Sequence, residues 1–143
     1  MPLRDLISAL ADNLDIGVVL TDGQLSPPGP RILYVNTTFE RMTGFDRDEI
    51  LGKNPRIFQG PGTSLAARKR LARALRNGER HTTTLVNYRK SGEAYLCAID
   101  VYPIVAQDGA LISAVALERE VERRPGRRPT QTPGPQTLGP KAG

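Results

Sequence analysis

Two short turns near the end of the chain restrict its fold more than any other feature. Arg89-Lys90-Ser91-Gly92 and Gln107-Asp108-Gly109-Ala110 are hairpin signals, built from residues that accept the backbone angles of a tight reversal. The runs flanking them are rich in β-branched and aromatic residues. His81 to Tyr88, Glu93 to Pro103 and Leu111 to about Val121 therefore read as three strands of an antiparallel meander.

Upstream the pattern changes. Leu3, Leu6, Ile7 and Leu10 fall at helical spacing and predict a short amphipathic N-terminal helix over 1–11. Ile16 to Thr21 and Arg31 to Val35 read as strands, separated by a loop in which Pro27, Pro28 and Pro30 prevent regular structure. Asn36 is a good N-cap for a helix that buries Phe39 and Met42 and stops at Gly44. Asp46 with Glu49 matches a capping box opening a second short helix. Thr63 or Ser64 caps a longer one to about Asn77, with Ala67, Leu71, Ala74 and Leu75 inward.

Strands at both ends of the chain with helices between them predict one α+β domain over 12–121. Its core is a five-stranded antiparallel sheet with helices covering one face. Period two puts Ile112, Ala114, Ala116 and Glu118 on one side of the last strand, and Leu111, Val115 and Leu117 on the other. Both sides are largely apolar. The face left by the middle helices needs the N-terminal helix, a second subunit or both, which predicts a homodimer or a signalling partner on the outer sheet face.

The net charge of +5 does not point to nucleic acid. Residues 123–143 contain five basic side chains and no acidic one, leaving 15 of each in residues 1–122. Five of the 12 prolines also lie there, so 122–143 is expected to be a disordered basic tail. No apolar run approaches a membrane span, and no signal-peptide pattern opens the chain. The single cysteine, Cys97, fits a reducing cytoplasm. No cluster has metal-ligand spacing, and no nucleophile–base arrangement or phosphate-binding glycine loop is present, so no enzyme is expected.

Gly52 to Pro61 is a polar, proline-marked turn carrying Asn54, Arg56 and Gln59 within six positions. Pro55 and Pro61 stiffen it. It suits gripping a planar polar ligand, and equally a connector whose side chains cap neighbouring helix ends.

Ile32 to Asn36, Phe39, Thr43 to Phe45, Glu49 to Arg56, Asn87 to Glu93 and Tyr102 to Ile104 together resemble a PAS domain, from about residue 12 to 121. Within that family the run Gly52 to Pro61 is similar to the light-oxygen-voltage (LOV) subgroup, blue-light receptors that bind flavin mononucleotide (FMN). The resemblance implies that Asn54, Arg56 and Gln59 meet the ribityl chain and phosphate, and that Asn87 meets the polar edge of the ring. Cys97 stands where the subgroup has a second ring-edge asparagine, Glu118 where it has a glutamine, and Ala72 where it has a second phosphate-binding arginine. Pro55 stands where it has the cysteine whose thiol adds to the photoexcited flavin, so the usual adduct is not expected.

These readings imply a PAS sensory or signalling module acting through ligand-biased packing and protein contact. Two alternatives stand beside it. One is a flavin-binding redox or light sensor (FMN or FAD) without adduct chemistry, and the other an apo dimerisation or scaffold module. Glu118 is read as wet, near a frayed strand end beside Arg119 and Glu120. Cys97 is read as a small core residue.

Overall fold

The computed structural model describes residues 2–122. The expected tail lies outside them, but for Glu122. In chain order the elements are α1 (Leu3–Ala11), β1 (Gly17–Asp22), β2 (Ile32–Val35), α2 (Thr37–Thr43), α3 (Arg47–Ile50), a single 3-10 turn (Pro55–Phe58), α4 (Leu65–Arg76), β3 (His81–Tyr88), β4 (Ala94–Val105) and β5 (Leu111–Val121). The strands form one antiparallel sheet in the order β2-β1-β5-β4-β3.

The helices between β2 and β3 lie over the inner face of the sheet. Phe39, completely buried, meets Phe58 edge-on at 5.2 Å between ring centres. Val19, Ile32, Val35 and Ile50 complete that half of the core. Ala67 and Leu75 of α4 pack on Leu85, Ile99, Val101 and Ala114 to form the other half. Burying each large side chain contributes roughly 1.5–3 kcal/mol, so these two clusters dominate the stability of the domain.

Helix α1 covers part of the outer face. Ala11 is buried with Val18, Leu20 and Tyr34, and Leu3, Ile7, Val115 and Leu117 pack around them. The buried stripe is thus Leu3, Ile7, Ala11. Leu6 and Leu10 of the expected stripe are 44% and 68% exposed. The small Ala11 lets the end of the helix approach the sheet closely, and this turns the two leucines outward.

Asn36 fastens these layers together. It is fully buried, and its Oδ1 accepts from Val18 N (2.9 Å) and Phe39 N (3.0 Å). Its Nδ2 donates to Ala11 O and Ile16 O, both at 2.9 Å. A polar ring adds to this: Tyr34 donates to Asp12 Oδ1 (3.0 Å), and Arg47 reaches Asp12 and Glu40. Burial and the carboxylate of Asp12 push the Tyr34 phenol up to about 12.

Period two holds through most of β5 but breaks at its start. The pairing of β4 with β5 shifts register between Ile104 and Val105. Leu111 consequently packs with the inner cluster, while Ile112, expected beside Ala114, is 52% exposed. One extra residue in a ladder exchanges the two faces beyond it.

Candidate functional site

A cavity of about 530 Å³ lies between the inner face of the sheet and the wall formed by α4 and the 3-10 turn. Its floor is apolar where Val19, Leu85, Ile99 and Ala116 line it, and the sheet adds three polar side chains, Thr21, Asn87 and Glu118. The opposing wall contributes Asn54, Pro55, Arg56, Gln59, Arg68 and Lys69. A mostly apolar enclosure with a few convergent polar groups is the form of a small-molecule site.

Five of the six residues singled out in the sequence line this cavity: Asn54, Arg56, Gln59, Asn87 and Glu118. They are not equally free. Asn54 caps the 3-10 turn by accepting from Arg56 N (2.8 Å), and its amide donates to Gly29 O (2.9 Å), anchoring the proline-rich loop. Its polar atoms are committed to the fold, the connector role left open in the sequence. Gln59 accepts from Arg68 Nη1 at 2.8 Å. Arg56 is exposed at the cavity wall. Arg68 Nε is buried without a protein partner, so a donor on this wall awaits an acceptor.

Cys97, the sixth residue, is fully buried and does not line the cavity. Its thiol donates to Glu118 Oε1 at 3.4 Å. Burial, and then the neighbouring Glu118 carboxyl, push that thiol up, so it stays protonated and unreactive.

Glu118 departs from its sequence reading. It is 8% exposed and faces the cavity, not a wet strand end. The strand does not fray there because β4 begins early enough to pair Cys97 with Glu120 and Leu96 with Val121, beyond Glu118. Burial raises its carboxyl to about 7, and the Cys97 thiol only partly opposes this.

Two features beside this wall were not anticipated from the sequence, although Tyr88 and Arg89 both lie in the stretch that carries the family resemblance. Tyr88 Oη accepts from Gly62 N (2.8 Å), and Thr63 Oγ1 donates to Val86 O (2.5 Å), so β3 holds the loop after the 3-10 turn. A Cβ on Gly60 would lie 2.5 Å from Tyr88 Cε1. Gly60→Ala is therefore expected to displace the ring and destabilise the domain by about 1–3 kcal/mol, seen as a lower urea midpoint. A Gly60→Ala/Tyr88→Ala double mutant should lose less than the sum of the two single changes. The second feature is Arg89. It stacks 4.3 Å above Tyr95, pairs with Glu93 and Glu120, and donates to Met42 O, joining the β3–β4 hairpin to α2.

A five-stranded antiparallel sheet with helices enclosing a cavity on one side defines an α+β domain built around a small-molecule-sized cavity. The chain belongs to the PAS domain family, whose model matches residues 15–123. Over 89 residues it is 39% identical to blue-light-activated histidine kinase 2 of Erythrobacter litoralis (strain HTCC2594), covering 62% of this chain and 26% of that protein. The chain thus spans about a quarter of that relative's length. Among solved structures it resembles the LOV domain of a blue-light activated histidine kinase from Erythrobacter litoralis, with TM-score 0.70 and 32% identity over 78% of this chain and all of the other. It also resembles a light-oxygen-voltage domain studied with a flavin analogue, with TM-score 0.70 and 26% identity over 82% of this chain and 83% of the other. The fold and family make it a PAS/LOV sensory signalling module. No helix among the described residues is long and apolar enough to cross a membrane.

Proposed function

We propose that this chain is a cytoplasmic, non-catalytic sensor that binds a flavin, FMN or FAD, in the cavity and signals through altered packing without a cysteine adduct. The carrying observation is the pairing of an amide and a carboxyl on the sheet with three cations on the facing wall. Asn87 and Glu118 would meet the polar edge of the ring, and Arg56, Arg68 and Lys69 the phosphate. The unpartnered Arg68 Nε suits an anion. The resemblance to the light-oxygen-voltage domain studied with a flavin analogue supports the same ligand. A bound flavin supplies light absorption and redox chemistry, and the residues of this chain hold and orient it.

A ligand biases a signalling equilibrium only by binding its two states with different affinity. The Asn36 junction offers a route from the cavity wall to the outer face, since Phe39 packs on the cavity-lining Phe58 and its N–H shares the Asn36 side chain with Ala11 O. Leu6, Leu10 and Leu14 stand exposed on the N-terminal segment, and Tyr102 on the outer side of β4. These form the surface on which a second copy or a signalling protein would pack. Leu117, which lies under α1, belongs to the core instead.

The absorption spectrum of protein incubated with FMN and then desalted tests the ligand. The expected result is a retained, structured band in the blue that illumination does not convert to an adduct, because Pro55 offers no thiol. Pro55→Cys, at the cavity wall, is expected to introduce a light-induced, dark-reversible loss of that band. A colourless protein after incubation with FMN and with FAD overturns the flavin reading. If the domain pairs through its outer face, Leu10→Glu is expected to halve the mass in light scattering.

A further inference from the structure

Glu118 is a carboxyl group on the wall of a cavity, and the protein provides almost nothing to hold its charge. The Cys97 thiol is the one hydrogen-bond donor it meets among the described residues. Around it, β1 contributes Gly17 and Val19, α2 contributes Phe39 and Met42, and the 3-10 turn contributes Phe58, all uncharged. From β4 come Cys97 and Tyr95, both held in their protonated forms by burial, and from β3 the neutral Asn87. Arg89, stacked on Tyr95, is already paired with Glu93 and Glu120. Arg56, Arg68 and Lys69 lie across the cavity on the α4 and 3-10 wall.

The consequence depends on what fills the cavity. In the open cavity Glu118 keeps only a small exposed fraction, and the water that reaches it there supports its charge above about neutral pH. A ligand that displaces this solvent leaves an anion with one weak thiol donor, a costly arrangement. Taking one proton from solvent removes the cost and creates a new O–H donor aimed into the cavity.

Resting on the reading of this cavity as a ligand site, we propose that binding is coupled to uptake of one proton by Glu118, and that the pocket selects a heterocycle with a hydrogen-bond acceptor on its buried edge. The balance is simple: carboxylate, proton and ligand give a carboxylic acid donating to the ligand acceptor. The site is then a coincidence detector for ligand and acidity. A ligand whose buried edge carries only donors cannot receive this bond and is discriminated against.

The test uses the full chain with FMN as probe, and its Glu118→Gln variant, which keeps the shape and cannot ionise. FMN dissociation constants are measured by flavin fluorescence from mildly acidic to mildly alkaline pH. The ratio of wild-type to variant constants cancels titration of the FMN phosphate itself. That ratio is expected to rise by up to about tenfold per pH unit once Glu118 ionises in the open pocket. At mildly alkaline pH, where Glu118 is ionised in the open pocket, calorimetry in two buffers of different ionisation enthalpy should show the wild type taking up close to one proton more than the variant. A flat ratio with equal proton uptake overturns the proposal while leaving the flavin reading intact. If neither protein binds FMN, the flavin reading falls, and a ligand-free measurement decides the coupling. In Ala116→Leu, which narrows the cavity beside Glu118, the carboxyl followed by carbon NMR should titrate about a unit higher than in the wild type. An unchanged titration there overturns the coupling.

Discussion

Asn36→Ala is expected to lower the unfolding free energy by roughly 3–5 kcal/mol, enough to remove much of the stability of a domain this size. The side chain makes four hydrogen bonds, two with backbone N–H groups and two with carbonyls, three of them buried and the one to Ile16 O partly so. Alanine leaves all four partners without their bond, and each stranded buried group costs about 1–3 kcal/mol where water cannot replace it. Asn36→Asp separates the two halves of this role. It keeps the acceptor for Val18 N and Phe39 N but sets a second oxygen against Ala11 O and Ile16 O. Urea unfolding should rank wild type above Asn36→Asp, with α1 loosened from the sheet in amide exchange. Equal midpoints for wild type and Asn36→Ala would show that the junction is not what secures α1.

The second large effect is a dependence of stability on pH that runs against the usual carboxylate trend. Glu118 is raised in the folded state to about 7 from an ordinary value of 4.5. The folded protein therefore binds more protons than the unfolded chain between those values, and stability falls as pH rises through that window. Below pH 4.5 the contribution is fully present, and above about 7 it is gone. The total loss is on the order of 3 kcal/mol. Glu49 and Asp100, lowered first of all by their hydrogen bonds to Lys90 and Arg80, act in the opposite sense at lower pH. The difference between wild type and Glu118→Gln isolates the one group. That difference is expected to favour the variant increasingly from acid to neutral pH and then level off. A constant difference across the range would mean that Glu118 titrates like an exposed glutamate.

The elements most visible in the sequence were those governed by neighbouring residues. The two hairpin signals separate β3, β4 and β5, and Asn36, Gly44 and Ser64 delimit their helices through local capping. What was not legible depended on partners far along the chain. Asn36 was recognisable as a cap for Phe39 N three residues on, but its bonds to Ala11 and Ile16 span 25 and 20 residues. Glu118 was assigned to the correct side of β5 by period two. Its burial was hidden because it opens the charged run Glu118-Arg119-Glu120, and only the length of β4 shows that this run is paired. Ile112 was misplaced because a register shift leaves no compositional mark. Asn54 carried both a ligand and a capping reading, and its bond to Gly29 O, 25 residues away, commits it to the fold.

The strand order has a consequence for how the chain is made. β5, the last of the described strands, lies in the middle of the sheet between β1 and β4. During synthesis the β1–β2 and β3–β4 ladders can form early, each presenting an open edge where β5 belongs. Their joining waits for β5 to emerge and insert. The β1–β5 ladder links residues about a hundred positions apart, as in Gly17 with Glu118, whereas β4 and β5 are joined as a local hairpin. Such topologies close slowly, and while they wait, unpaired edges are open to other chains. A ribosome stalled before β5 would therefore display two sticky half-sheets and no cavity. The cavity would be completed in one step, with the eleven-residue β5.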